Sequence, residues 1–146
     1  MEKTVKRHIS AGGVIYIKKG SKVRVLAMHR RVSDTWHLPK GTREDKEDIL
    51  ETAKREILEE TGFVVDLRDR LGCLSSKTHR GVPKKTYYFI GRPVDSKSVQ
   101  LGDGEHDYAT FVEIKKLINL IKNKRVKNYE KEHLILEKLL TSGVPF

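Results

Sequence analysis

At 146 residues with a formal charge of +10, the chain has the length of one domain and none to spare for a second core, so residues 1–146 are read as a single domain. Hydrophobic residues make up 37% and charged residues 34%, and no run nears the roughly 18 apolar residues of a membrane span, which excludes a transmembrane reading. The lone Cys73 excludes an internal disulfide and a thiolate metal site, and it reads as a small hydrophobe beside Leu71 and Leu74 in a reducing compartment.

The N-terminal stretch MEKTVKRHISAGGVIYI lacks a basic-then-apolar pattern ending at a small-residue cleavage site, so a cytoplasmic location is expected. ISAGGVIYI and KVRVLAMHR are β-branched runs separated by KKGS, which predicts two core strands turning at Gly20. RVSDTWHLPKGTREDKED is polar and contains Pro39 and Gly41; it is expected to form a loop, with Trp36 as an anchor inside it. From Asp48 the pattern turns helical. Asp48 stands as N-cap with Glu51 three residues on, Leu50, Ala53 and Ile57 fall at i, i+3 and i+7, and Gly62 stops a helix over 49–61.

FVVDLRDRLGCLSS then predicts one strand and part of another, and KKTYYFIGRPV an aromatic-rich strand ending before Pro93. SKSVQLGDGEHDYA is expected to be a loop and TFVEI a short strand leading into KKLINLI. NYEKEHLILEKLLTSG predicts a helix with Leu134, Leu136, Leu139 and Leu140 on one side and Gly143 as terminator. Strands and helices mix without regular βαβ alternation, so the expected class is α/β of the α+β kind, a mixed sheet with helices packed on it.

Charge is unevenly placed. Residues 42–60 hold eight Asp/Glu against four Lys/Arg, a local net of −4 that leaves +14 on the rest of the chain. On a helix advancing about 100° per residue, Glu56, Glu59 and Glu60 at i, i+3 and i+4 share one patch, where their like charges repel. Three glutamates on a charged helix are most often a solvated face. A hard divalent cation, which takes carboxylate oxygens, is the compensating partner that would make such a patch favourable.

The longer frame decides between these readings. Gly41, five residues, Glu47, seven residues and then REILEETGF resembles the signature of the Nudix hydrolases at every fixed position, from Gly41 to Phe63. SAGGVIY, WHLPKG and the aromatic strand extend the likeness over roughly residues 8–120. The resemblance implies the Nudix fold, an α/β/α sandwich, and hydrolysis of a nucleoside diphosphate linked to another moiety, with Mg²⁺ or Mn²⁺ as the bound ion. It implies Glu59 and Glu60 as metal ligands, Glu56 as a further ligand or the group orienting water, and Arg55 holding the carboxylates with Glu47 paired to it. Gly41 would supply a close backbone approach and a carbonyl oxygen. A further carboxylate is implied from a downstream loop, where Glu105 is chosen ahead of Asp107, with Asp103 also in reach.

Basic and aromatic residues outside this segment suit a small-molecule nucleotide polyphosphate: Arg30 and Arg31, Lys40, Lys84, Lys85 and Tyr87, with Tyr88 beside them. WHLPKGT with KTYYF resembles the diadenosine polyphosphate hydrolases. Pyrophosphatases for oxidised nucleoside triphosphates such as 8-oxo-dGTP, and ADP-ribose hydrolases, share the same signature. From another class, an RNA-binding or RNA-decapping module stays open, although the glycine–aromatic pattern of an RNA-recognition sheet is missing, so nucleic acid is the less favoured partner. His29, His37, His79 and His106 show no metal-ligand spacing and read as ordinary surface or loop residues.

Overall fold

The computed structural model describes residues 8–95, 99–102, 104–122 and 131–141. In chain order they form β1 (His8–Lys19), β2 (Lys22–Arg30), β3 (Thr35–His37), β4 (Lys40–Thr42), α1 (Ile49–Thr61), β5 (Val65–Lys77), β6 (Pro83–Pro93), β7 (Tyr108–Glu113), α2 (Ile114–Lys122) and α3 (His133–Thr141). The sheet is mixed. β1 and β6 run parallel, with His8 opposite Lys84 and Gly13 opposite Phe89, while the other pairings are antiparallel.

Strand β1 organises the molecule because its two halves pair differently. Tyr16 to Lys19 turn at Gly20, in the left-handed region at φ 62°, and pair with β2. Ser10 to Gly12 pair with β4 on one side while the same stretch pairs with β6 on the other. Alternate side chains of a strand point to opposite faces. Ala11 and Ile15 therefore pack with Ala53 and Ile57 of α1, whereas Val14 and Tyr16 pack with Leu117, Ile118, Leu136 and Leu139 of α2 and α3. The result is a sheet sandwiched between helices, and each fully buried side chain such as Ile57 or Leu136 contributes about 1.5–3 kcal/mol of hydrophobic stabilisation.

Helix α1 forms where the pattern places it. The Asp48 carboxylate accepts from the Glu51 N–H at 2.8 Å, and Gly62 closes the helix at φ 79° with its N–H on the Leu58 carbonyl. Elsewhere the expectations need correction. The segment expected to be a loop contains β3 and β4, because Trp36 is buried against the core and Lys40 to Thr42 find partners on β1. The segment read as one strand and part of another is a single strand, β5, carried through by bulges between Leu67 and Gly72. Cys73 faces solvent: the bulge before Gly72 breaks the alternation that would put it on the same side as buried Leu71, and beyond the bulge it alternates with Leu74, which packs against the core. On α3 the buried side is Ile135, Leu136 and Leu139, with Leu134 and Leu140 about half exposed. Gly143 lies outside the described residues. Among those residues no helix is long and apolar enough to cross a membrane.

Candidate active site

The site grows from contact between β4 and α1. β4 is pressed onto β1: the Gly13 N–H donates to the Pro39 carbonyl at 3.1 Å, and the Arg43 N–H to the Ile9 carbonyl at 2.9 Å. Gly12 permits this, since a Cβ there would lie 2.1 Å from the Pro39 oxygen. Gly41 then faces α1 so closely that a Cβ on it would lie 2.0 Å from both the carboxyl carbon and an oxygen of Glu56. Only glycine lets the backbone close over that carboxylate.

Arg55 gathers the acids. Its Nε and Nη2 donate to the two oxygens of Glu47 at 2.7 and 2.9 Å, Nη2 also reaches the Thr42 carbonyl at 2.9 Å, and Nη1 donates to Glu56 at 2.8 Å and Glu59 at 3.2 Å. Thr52 adds a hydroxyl donor to Glu47 at 2.6 Å. A guanidinium presents five donors in a rigid fork, and here they join β4, the loop before α1 and two turns of α1. Glu60 is 9% exposed and lies with Gly41 in the wall of a cleft.

Two carboxyls are shifted in opposite senses. Burial pushes Glu56 above the ordinary glutamate range, and hydrogen bonds from Arg55 offset this only in part. Glu47 is lowered from 4.5 to about 2, chiefly by hydrogen bonds from Arg55 and then from Thr52. Between those two values the unfolded chain binds the Glu47 proton and the fold does not. Stability from this group is therefore complete above pH 4.5 and lost as pH falls toward 2. Glu47→Gln is expected to flatten that part of the acid limb, measured as urea midpoints across the window. An acid limb parallel to wild type would show that Glu47 does not titrate in this way.

The cleft has a volume of about 710 Å³. Arg30, Lys40, Lys77 and Lys84 line it together with His8, His37, His79, His106, Glu60 and Glu105. Lys85 and Tyr87, expected on sequence grounds to meet substrate, do not line it. Strand alternation turns them to the α1 face, where Tyr87 packs against the core and lies 5.6 Å beneath the Arg70 guanidinium. Lys84, on the opposite face, does line the cleft. Glu105 is there too, 3.1 Å from Arg30 Nη2, whereas Asp107 is 2.8 Å from His29 Nδ1. Asp103 lies outside the described residues.

Two features went unseen in the sequence. His29 is not an ordinary surface histidine: Asp34 and Asp107 flank its two ring nitrogens at 2.8 Å, and its ring stacks on Tyr108 at 4.9 Å. Glu132, just ahead of α3, is fully buried against Leu38, Lys40 and Tyr88, and no local pattern marks it.

A model of the NUDIX domain matches residues 6–134. The chain belongs to the NUDIX domain family. Among curated proteins it is similar to Nucleoside diphosphate-linked moiety X motif 6 of Homo sapiens, 29% identical over 82 residues, covering 56% of this chain and 26% of that protein. It also resembles the CMP-5'-(N-acetyl-N-hydroxy-3-aminopropyl)phosphonate hydrolase of Streptomyces rubellomurinus, 42% identical over 66 residues, 41% of this chain and 32% of that protein. The chain thus spans about a third or less of these two relatives. In structure it is similar to the C. elegans Ap4A hydrolase binary complex, with a TM-score of 0.76 at 24% identity, covering 91% of this chain and 95% of that one. At that identity the likeness establishes the shared Nudix fold.

The family implies a divalent cation, and the donor chemistry here fits one. Glu56, Glu59, Glu60 and the backbone at Gly41 offer hard oxygens only, which suit Mg²⁺ or Mn²⁺ over softer metals. Among the described residues no three His, Cys, Asp or Glu side chains are already gathered as an ion-binding cluster, and Arg55 Nη1 is the group on which Glu56 and Glu59 converge.

Proposed function

We propose that this Nudix protein is a Mg²⁺-dependent phosphoanhydride hydrolase whose preferred substrates are dinucleoside polyphosphates such as diadenosine tetraphosphate. The observation that carries this reading is the single cleft in which Glu60 and Gly41 sit with Arg30, Lys40, Lys77 and Lys84. A run of phosphates is the ligand for which several cations beside a carboxylate site are complementary, because each phosphate gains a charge-assisted contact. Arg30 supports it further: its Nε is buried with no hydrogen-bond partner in the described residues, a donor that an entering phosphate oxygen would satisfy.

A cation held by Glu56, Glu59 and Glu60 would neutralise phosphate oxygens and raise the nucleophilicity of water. The chain's own groups do the rest. Arg55 sets the carboxylates, Arg30, Lys40 and Lys84 align the phosphates, and Glu105 is the loop carboxylate best placed to take the proton of water. The water oxygen bonds to phosphorus as the bridging P–O bond breaks, and the bonding pair leaves with the departing phosphate. Both loop carboxylates have a side-chain partner, and Asp107 is the weaker choice because it does not line the cleft, whereas Glu105 does.

The test is hydrolysis of diadenosine tetraphosphate, 8-oxo-dGTP and ADP-ribose side by side under Mg²⁺, with products separated by chromatography. Diadenosine tetraphosphate is expected to show the highest kcat/KM, and EDTA should abolish turnover. Lys84→Ala should weaken the dinucleotide more than ADP-ribose, while Lys85→Ala, off the cleft, should change neither. Preference for 8-oxo-dGTP with release of pyrophosphate would overturn the substrate choice. No turnover with Mg²⁺ or Mn²⁺ would overturn the enzyme reading in favour of a binding module.

A further inference from the structure

A carboxylate at zero exposure is costly unless every lone pair finds a donor. Glu132 finds donors in two separate parts of the chain, the segment 37–40 and Tyr88. Its Oε1 accepts from the Leu38 backbone N–H at 3.0 Å, with His37 Nδ1 3.8 Å away. Its Oε2 accepts from the Tyr88 hydroxyl at 2.5 Å and stands 3.1 Å from Lys40 Nζ. Leu38 and Lys40 flank Pro39, whose carbonyl is fixed to β1, and Lys40 precedes the glycine that closes over Glu56. The Lys40 side chain is itself only 11% exposed, although it lines the cleft.

An ammonium on four methylenes ordinarily samples many rotamers, and one so nearly buried needs a counter-charge. Glu132 supplies the counter-charge and the direction. Lys40 also lines the cleft, so the ammonium held against Glu132 stands where a phosphate would bind. The same carboxylate holds the Leu38 N–H, so the backbone that delivers Lys40 is fixed along with its side chain.

We propose that Glu132 is a positioning residue for the phosphate-binding cleft: docking of α3 delivers its carboxylate beneath the Leu38–Lys40 segment and sets the Lys40 ammonium for a phosphate oxygen. This rests on the reading of the cleft as a polyphosphate site. It makes the C-terminal helix a working part of that site rather than a cover for the core. Glu132 touches no substrate and acts through Lys40.

A double-mutant cycle tests it. Wild type, Glu132→Gln, Lys40→Met and the double variant are compared by affinity for inorganic tripolyphosphate, by kcat and KM on diadenosine tetraphosphate, and by thermal midpoint. Tripolyphosphate binding needs no turnover, so the cycle is decided even if the proposed hydrolysis fails. Each single variant is expected to weaken tripolyphosphate about tenfold, with the double variant no weaker than Lys40→Met, since Glu132 has nothing left to position. In the turnover assay the loss should fall mainly on KM. Should Glu132→Gln fail to fold, Tyr88→Phe removes one donor to the same oxygen while keeping the ring packed, and about a threefold loss in the same direction is expected, again absent in the Lys40→Met background. The proposal is overturned if the Glu132 and Lys40 losses multiply, or if Glu132→Gln lowers the thermal midpoint and leaves tripolyphosphate affinity unchanged.

Discussion

Glu60→Gln is expected to lower kcat by at least about two orders of magnitude at saturating substrate and Mg²⁺. The side chain is nearly buried in the cleft wall beside Gly41, where few waters can stand in for a lost charge. The amide is isosteric, so packing around this α1 side chain is retained and the loss reports on charge at the reacting phosphates. The control is Glu44→Gln. Glu44 belongs to the same acidic segment and approaches Arg55 Nη1 at 3.6 Å, but it is 70% exposed, and an exposed pair of that kind contributes at most about 1 kcal/mol. Its kcat should stay within about threefold of wild type. Comparable losses from the two variants would mean that bulk negative charge, and not a defined set of ligands, drives the reaction.

Gly41→Ala should produce the second large effect. The added methyl would lie 2.0 Å from the Glu56 carboxyl carbon, and the other Glu56 oxygen is already held by Arg55 Nη1 at 2.8 Å. Two responses are open to the chain. β4 can lift from β1, breaking the Gly41 to Ala11 register and the Arg43 bond to Ile9, or Glu56 can swing away and leave Arg55. The first costs stability of about 1–3 kcal/mol, as overpacking does. The second leaves stability closer to wild type but removes a carboxylate from the site, with kcat down about tenfold or more. Measuring kcat together with the urea midpoint separates the two. A variant with wild-type values for both would show that Glu56 does not rest against Gly41 in solution.

Much of the local structure could be read from the chain because its causes are local. Helix α1 follows from a 3.6-residue period with a cap at each end, and the observed bounds coincide with those expected. β1 and β2 follow from β-branched runs joined at a glycine that can adopt positive φ. The short strands β3 and β4 were hidden because three-residue strands have no periodicity to detect, and they exist only through partners on β2 and β1. The single strand β5 was obscured by its bulges, which break alternation without ending the pairing.

By itself the sequence determined the spacing from Gly41 through Glu47 to Glu60, and with it the family, the clustering of acids on one helix and the basic surroundings. Residues a few positions apart on a helix have fixed relative directions whatever the rest of the chain does. The tertiary structure alone decided which cations meet those acids. Lys84 and Lys85 are neighbours, and strand alternation says only that they point to opposite faces; packing of α1 on one face determined that Lys84 joins the cleft and Lys85 does not. Glu132 reaches Leu38 across 94 positions and Tyr88 across 44, separations at which no local pattern constrains direction. Burial of its carboxylate is favourable only once the donors at the entry to β4 and on β6 have met the residue that leads into α3, so that part of the site is a product of the packed core.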